Sequence, residues 1–196
     1  LNDFFKNTNY DDSMFSDRAI QYVESAIYVQ STRGKETYYI KCQLRNKDVV
    51  LKPEEAVRQL FLYNLINDYH YPTSRIEIEY PIHFGREVKR ADIAIMDKDR
   101  PMVPYIIVEL KKPKLSDGKE QLKSYCNATG APIGVWTNGE QISYYNRKDP
   151  NYFEPITNIP KVSEKLSDII NEKFTYEDLK KIDRISQQKR SLRSLI

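Results

Sequence analysis

Residues 104–114 read "PYIIVELKKPK", an apolar run that ends in a glutamate and a row of lysines. The apolar part is typical of a strand that is buried on both faces of a sheet. Its end carries Glu109 and Lys111, and taking an unpaired carboxylate or ammonium out of water is costly. Something in the folded protein must therefore offset that cost.

The length and composition predict one folded domain with an extension. Hydrophobic residues make up 40% and charged residues 30% of the 196-residue chain, a balance that is typical of globular proteins. No apolar run approaches the roughly 20 residues that span a bilayer, and the N-terminus lacks the pattern of a signal peptide, so we expect a cytoplasmic protein without a membrane partner. The first residue is Leu1, which suggests a piece of a longer polypeptide.

The cysteines and the overall charge exclude or favour few functions. Cys42 and Cys126 are isolated, so the sequence predicts small buried side chains rather than a zinc site or a disulfide. The formal net charge of +3 is weak evidence for a nucleic-acid partner. Basic clusters at residues 85–90 and 111–114 flank the quoted stretch, and a third lies at 180–193. Each could be a solvated face, but the first two could also hold an anionic ligand.

The pattern of apolar, turn and capping residues predicts a mixed α/β fold. A central mixed sheet is flanked by helices in the order helix, three-stranded antiparallel meander, helix, strand. The third meander strand, the quoted stretch, should lie in the middle of the sheet. The predicted elements are a helix around 17–29, a hairpin from "ETYYIKCQL" and "DVVL", a helix from 53 to about 69, strands in "RIEIEYPIHF", "RADIAIM" and "PYIIVEL", a helix capped by Ser116 and closed by Gly130, strands in "APIGVWT" and "NGEQISYYN", and a helical pattern from 163 onward.

Acidic side chains converge where two predicted strands meet. The two-residue period of a strand puts Ile107, Glu109 and Lys111 on one face. Asp92 lies on the preceding strand, and an antiparallel neighbour can bring it within reach of Glu109. Two carboxylates that close repel each other unless a cation sits between them. Oxygen ligands without histidine favour Mg²⁺ or Mn²⁺.

The helix that starts at Pro53 adds a further candidate. Its apolar side chains point in nearly the same direction as Glu54, so Glu54 is predicted to face the sheet, while Glu55 is predicted to be solvated. An N-terminal acid that only complements the helix dipole remains the alternative for Glu54. For Glu109 and Lys111 the alternative is a surface ion pair. The joint pattern of acids on a helix and on two strands favours a common site.

The same residues resemble a known superfamily. "RADIAIM" followed by "YIIVELKKP" resembles the Asp…Glu-x-Lys signature of PD-(D/E)XK nucleases, with Ala91 at the position of the proline. In addition, "KPEEAVRQLFLYNLI", "KRADIAIMD", "VELKKP", "QLKSY" and "VWTNG" in this order resemble the N-terminal nuclease domain of type I restriction enzyme R subunits, over roughly residues 36–146. This predicts an N-terminal extension at 1–34, a restriction-endonuclease-like nuclease domain at 35–160, and a helical connector at 161–196 to a missing C-terminal part.

The resemblance implies a Mg²⁺-dependent endodeoxyribonuclease of a restriction-modification system, in which Mn²⁺ can substitute. Asp92, Glu109 and the carbonyl of Leu110 would bind the metal, with Glu54 as the helix acid that aids metal binding. Lys111 would orient the attacking water or stabilise charge on the phosphate. The bond cut would be a phosphodiester of double-stranded DNA.

Four further residues are candidates for DNA binding or for supporting the site. Gln121 and Tyr125 match the Gln-x-x-x-Tyr element of a subset of these nucleases and share one helix face, although a packing tyrosine beside a solvated glutamine is the alternative. Arg90 and Lys112 belong to the basic clusters that would hold the DNA backbone.

Other chemistries find little support in the sequence. His70 and His83 lack metal-binding spacing, and we interpret both as structural. No phosphate-binding loop motif is present, so the chain has no predicted ATP site. The expected partners are the motor or methyltransferase and the specificity parts of a restriction-modification complex, which would lie outside these 196 residues. Three alternatives stay open: a non-cleaving DNA-binding or assembly module on the same fold, a nuclease domain fused to a DNA methyltransferase, and a structure-specific or repair nuclease.

Overall fold

The structure is a computed structural model that describes residues 13–32 and 34–171. In chain order its elements are α1 (Asp17–Ser25), β1 (Ile27–Thr32), β2 (Lys35–Lys41), β3 (Asp48–Val50), α2 (Pro53–Asn67), a 3-10 turn (Thr73–Arg75), β4 (Ile76–Phe84), β5 (Glu87–Met96), β6 (Pro104–Leu110), α3 (Lys119–Thr129), β7 (Ile133–Thr137), β8 (Ile142–Asp149), β9 (Tyr152–Ile156) and α4 (Leu166–Asn171).

The described strands form two sheets. β1, β2 and β3 make a small antiparallel sheet, and β4 to β9 make a six-stranded sheet in sequential order. In the large sheet β6 and β7 are parallel, because α3 carries the chain back across the sheet, and the other neighbours are antiparallel. The predicted fold class, a mixed sheet flanked by helices with the quoted strand in its interior, is confirmed.

Strand β6 is buried on both faces, as its apolar run predicts. Ile106, Val108 and Leu110 pack into one hydrophobic cluster with apolar residues of α2. Ile107 points to the other face and packs with residues of α3. Covering both faces of β6 removes a large apolar area from water, at about 25 cal/mol per Å². Glu109 is carried into this dry environment by its position near the strand end.

Helix α2 is buried on more than one side, which the sequence analysis did not foresee. It begins with Pro53 at the first helical position, and two glutamates follow in the first turn. Val57 and Phe61 face the large sheet, whereas Ala56 and Leu60 pack against α1 and the small sheet. A helix covered in this way has no single polar face, so the direction of its apolar residues does not tell which acid is solvated.

The N-terminal part differs from the prediction. The helix predicted around 17–29 ends at Ser25, and Ile27–Thr32 forms β1, because its β-branched and aromatic residues pair with β2. The predicted hairpin of β2 and β3 is confirmed. The boundary predicted between residues 34 and 35 falls inside the β1–β2 hairpin.

The remaining differences lie around α3 and after β8. α3 begins at Lys119 with Gly118 as its N-cap, so the prediction of a Ser116 cap is wrong. Residues 111–118 instead form an irregular segment that accepts side-chain hydrogen bonds from Trp136 of β7 and from Asn138, which follows that strand. β9 was not predicted. In the helical pattern from 163, α4 covers Leu166–Asn171, and residues 172–196 lie outside the described part.

Among residues 13–32 and 34–171, no helix combines the length and the apolar character that are needed to cross a membrane.

Candidate active site

Asp92 and Glu109 lie side by side on neighbouring strands. The antiparallel register of β5 and β6 pairs Ile93 with Val108, which places Asp92 across from Glu109. The carboxylate of Asp92 accepts a hydrogen bond from the backbone N–H of Leu110, with 2.7 Å between Oδ2 and N. The Asp92 side chain is 13% exposed and that of Glu109 is 3% exposed. The structure therefore brings the two predicted acids together at a nearly dry position.

Lys111 pairs directly with Glu109. Its Nζ lies 2.7 Å from Oε1 of Glu109, as their common face on the strand predicts. Burial, and next the charge of Asp92, raises the pKa of Glu109 to about 7 although Lys111 opposes this shift. Burial alone would lower the pKa of Lys111, but the hydrogen bond and charge of Glu109 outweigh it, so the lysine pKa is raised. Lys111 is thus a firmly charged ammonium in the site.

The second oxygen of Glu109 is unsatisfied. Oε2 is buried and has no hydrogen-bond partner among the described residues. A buried carboxylate oxygen without a donor costs free energy, so it needs an explanation, and a bound cation is one. An acceptor-only oxygen beside a second carboxylate is the donor set that a hard divalent cation prefers. These residues therefore fit the expected Mg²⁺ or Mn²⁺.

The position of Lys111 depends on Gly118. Gly118 has φ of +91°, and a Cβ at this residue would overlap Cε of Lys111. The segment that carries Gly118 is held to β7, because Trp136 Nε1 donates to the carbonyl of Asp117 at 2.7 Å. Trp136 stands next to Glu109 in the parallel β6–β7 register. The "VWTNG" block thus contributes a residue that holds the segment next to Lys111.

Glu54 is near the site but not within a common ligand set. Its side chain is 48% exposed at the start of α2. Partial burial, and next the charge of Asp92, raises the pKa of Glu54, so the two carboxylates lie close enough to interact. In the part of the chain that the structure describes, no three Asp, Glu, His or Cys side chains are grouped so as to hold a metal ion. The predicted role of Glu54 in metal binding stays a prediction.

Two residues at the site were missed by the sequence analysis, and one acid was misplaced. Glu55, predicted to be solvated, is buried and accepts hydrogen bonds from Arg58 and Gln59. Arg58 also contacts Asp92, and Glu79 of β4 contacts Arg58 in turn. The signal for Arg58 was available: an arginine inside an apolar helix, three and four residues after two glutamates. Glu79 gave no signal beyond being an acid in an alternating strand.

The predicted Gln-x-x-x-Tyr pair lies on one face of α3. Gln121 Nε2 donates to the hydroxyl of Tyr125 at 2.6 Å, and the ring of Tyr125 is buried beside Phe84. Both line a groove whose other residues include Lys89 and Arg90. The pair is a structural contact as well as a part of this groove.

The two predicted basic residues are both exposed. Arg90 donates to the carbonyl of Glu79 at 3.2 Å, and Lys112 follows Lys111 on the irregular segment. Neither touches the Asp92–Glu109 pair through a hydrogen bond in the described residues. They are available to an external ligand rather than built into the acid pair.

An aspartate on one strand and a Glu-x-Lys element on the next, inside a mixed sheet, are the features of the PD-(D/E)XK class. Residues 53–160, more than half of the 196-residue chain, match the family of the type I restriction enzyme R protein N terminus. The chain belongs to this family, which confirms the resemblance noted in the sequence.

Structural comparison gives a weaker likeness. A DUF820 protein from Anabaena variabilis ATCC 29413, described as a candidate nuclease, superposes with a TM-score of 0.40 and 16% identity over 59% of this chain and 79% of that chain. At this level the family assignment rests on the sequence match alone. Among curated proteins, no relative matches the chain.

Proposed function

We propose that this chain is the metal-dependent endonuclease domain of a type I restriction enzyme R protein, and that it hydrolyses phosphodiester bonds of double-stranded DNA. The observation that carries the proposal is the buried Oε2 of Glu109, which has no hydrogen-bond partner among the described residues, on a carboxylate whose other oxygen pairs with Lys111 and whose strand neighbour is Asp92. The family membership of residues 53–160 supports the same function.

Asp92 and Glu109 would hold Mg²⁺ together with the backbone carbonyl of Leu110, and Mn²⁺ can replace it. Such an ion supplies positive charge to the phosphate oxygens and lowers the pKa of a bound water. The burial of both carboxylates strengthens this binding, because charges attract more strongly where water is excluded. Glu54, outside the direct ligand set, would add negative charge at the entrance of the site.

Lys111 has the properties of the residue that stabilises charge on the phosphate. Its ammonium is held by Glu109, and Gly118 leaves the space that the end of the lysine side chain occupies. A fixed cation costs no reorganisation when negative charge develops on the scissile phosphate. The same ammonium can orient an attacking water by a hydrogen bond.

The DNA backbone would be held by the basic groove beside the acids. Lys89 and Arg90 line this groove with Gln121 and Tyr125, and Lys112 is exposed on the neighbouring segment. Contacts of this kind are made to phosphates, so binding would be independent of sequence and would weaken steeply with salt. Recognition of a specific DNA site, and movement along DNA, would come from other parts of a restriction-modification complex.

Nicking of supercoiled plasmid tests the proposal. The wild-type chain should convert plasmid to the open-circular form in Mg²⁺ and not in EDTA, and both Asp92→Asn and Lys111→Ala should abolish the conversion. Asp99→Asn and Lys98→Ala serve as matched controls, because both residues lie on the exposed turn after β5. Both variants should retain nicking activity.

A plasmid-binding measurement separates this function from a non-cleaving module. Retained, salt-sensitive DNA binding without any metal-dependent nicking by the wild-type chain would favour the module. Nicking that persists in Asp92→Asn would refute the assigned site.

A further inference from the structure

Arg58 is a buried cation in direct contact with the candidate metal site. Its side chain is 7% exposed, and its Nη2 lies 2.6 Å from Oδ1 of Asp92 and 3.0 Å from Oε1 of Glu79. Its Nη1 pairs with Glu55. A guanidinium in this position is fixed from three sides, because Glu55 belongs to the same helix, Glu79 to β4 and Asp92 to β5.

Glu79 is held in an unusual backbone conformation that serves this contact. Its φ is +57°, although it lies within a strand and is not glycine. The pairing of β4 with β5 skips it, passing from Ile78–Ile93 to Tyr80–Ala91. Such a conformation costs on the order of 1 kcal/mol or more and persists where other contacts offset it. In this conformation the carboxylate of Glu79 makes its ion pair with Arg58.

Both oxygens of Asp92 are already engaged. Oδ1 accepts from Arg58, and Oδ2 accepts from the N–H of Leu110. Glu109 differs, because its Oε2 has no partner among the described residues. A cation that enters beside Glu109 and ligates Asp92 must therefore share this carboxylate with the guanidinium, and the two positive charges repel each other.

We propose that Arg58 is a built-in competitor of the divalent cation. In the metal-free protein its guanidinium neutralises Asp92. When the ion binds, Arg58 gives up part of this contact and keeps its ion pairs with Glu55 and Glu79. The inference rests on the proposed function, since it concerns the metal expected between Asp92 and Glu109. It implies that the protein binds divalent ions more weakly than the carboxylates alone would allow.

Calorimetric titration of the full chain with Mn²⁺ tests the proposal without any activity assay. We expect Arg58→Gln to bind Mn²⁺ about tenfold more tightly than wild type, because a positive charge a few ångströms from the ion is removed. Arg58→Lys keeps a positive charge at this position, so its Kd should lie closer to the wild-type value than that of Arg58→Gln. Arg75→Gln is the matched control, since Arg75 donates to the carbonyl of Met96 at the other end of β5.

An unchanged or weaker Mn²⁺ affinity in Arg58→Gln would overturn the role of Arg58. Removing a buried cation can also unfold the protein, because Glu55 and Asp92 would be left uncompensated. In that case the measured quantity is the fraction of folded protein, followed by circular dichroism as Mn²⁺ is added. Refolding of Arg58→Gln by Mn²⁺ supports the proposal, and failure to refold at concentrations that saturate wild type refutes it.

The Asp92→Asn variant distinguishes this inference from the proposed function. If wild type binds no Mn²⁺, or if Asp92→Asn binds it equally well, the assigned metal site itself fails. If wild type binds Mn²⁺ and Asp92→Asn does not, while Arg58→Gln equals wild type, only the competitor role fails.

Discussion

The ionisation of Glu109 should make the stability of the metal-free protein depend on pH. Burial, and next the charge of Asp92, raises the pKa of Glu109 from its ordinary value of 4.5 to about 7 in the folded state. Between these two values the folded protein holds a proton that the unfolded chain has released. The stabilisation is therefore fully present below pH 4.5 and is lost as the pH rises through 7. Such a shift corresponds to about 3 kcal/mol of unfolding free energy.

Urea unfolding in EDTA at pH 4.5 and pH 8 measures this loss. Other groups also titrate in this window, so the informative quantity is the difference between wild type and Glu109→Gln, which cannot ionise. We expect wild type to lose about 3 kcal/mol more stability than Glu109→Gln between the two pH values. Glu120→Gln is the matched control, because Glu120 is an exposed glutamate that also pairs with a lysine.

The reasoning fails if wild type and Glu109→Gln show parallel pH profiles, because a Glu109 with an ordinary pKa would contribute nothing to the slope. It also fails if Glu120→Gln changes the profile as much as Glu109→Gln does. An NMR titration of the Glu109 carboxyl gives the same answer directly, with a midpoint near 7 expected in the metal-free protein.

Two further predictions concern the segment that holds Lys111. Gly118→Ala should destabilise the protein by about 1–3 kcal/mol, because an alanine is strained at φ of +91°. It should also slow plasmid nicking, because the added Cβ displaces Lys111. A variant with the stability and nicking rate of wild type would contradict this. Trp136→Phe removes the hydrogen bond to the Asp117 carbonyl and should cost about 1–3 kcal/mol in urea unfolding. Amide hydrogen exchange in residues 112–118 should rise in this variant, and unchanged exchange would show that the indole does not fix the segment.

The strands that carry the acid pair were predictable from the sequence. The period of two in β6 assigned Glu109 and Lys111 to one face, and the short turn after β5 made the two strands antiparallel neighbours. These are local rules, and they were sufficient to bring Asp92 opposite Glu109. The predicted roles of these residues in catalysis and metal binding stay predictions.

The surroundings of the acid pair could not be predicted in this way. Glu55 and Arg58 are buried because α2 is covered by the small sheet as well as by the large one, and β1 of that sheet was taken for part of a helix. Helical periodicity tells which residues share a face, but not how many faces are covered. The positive φ of Glu79 and its ion pair with Arg58, 21 positions earlier in the chain, likewise left no local signal in the sequence.

The two carboxylates at the end of β6 differ in how many of their oxygens accept hydrogen bonds. This difference favours a functional site over a structural ion pair. Asp92 is satisfied on both oxygens, by Arg58 and by the N–H of Leu110. Glu109 is satisfied on one oxygen by Lys111, and its other oxygen is left without a donor among the described residues. A purely structural pair gains nothing from an unsatisfied buried acceptor, which costs about 1–3 kcal/mol. A positively charged ligand gains binding free energy from this oxygen, because the protein has already excluded competing water and aligned the second carboxylate.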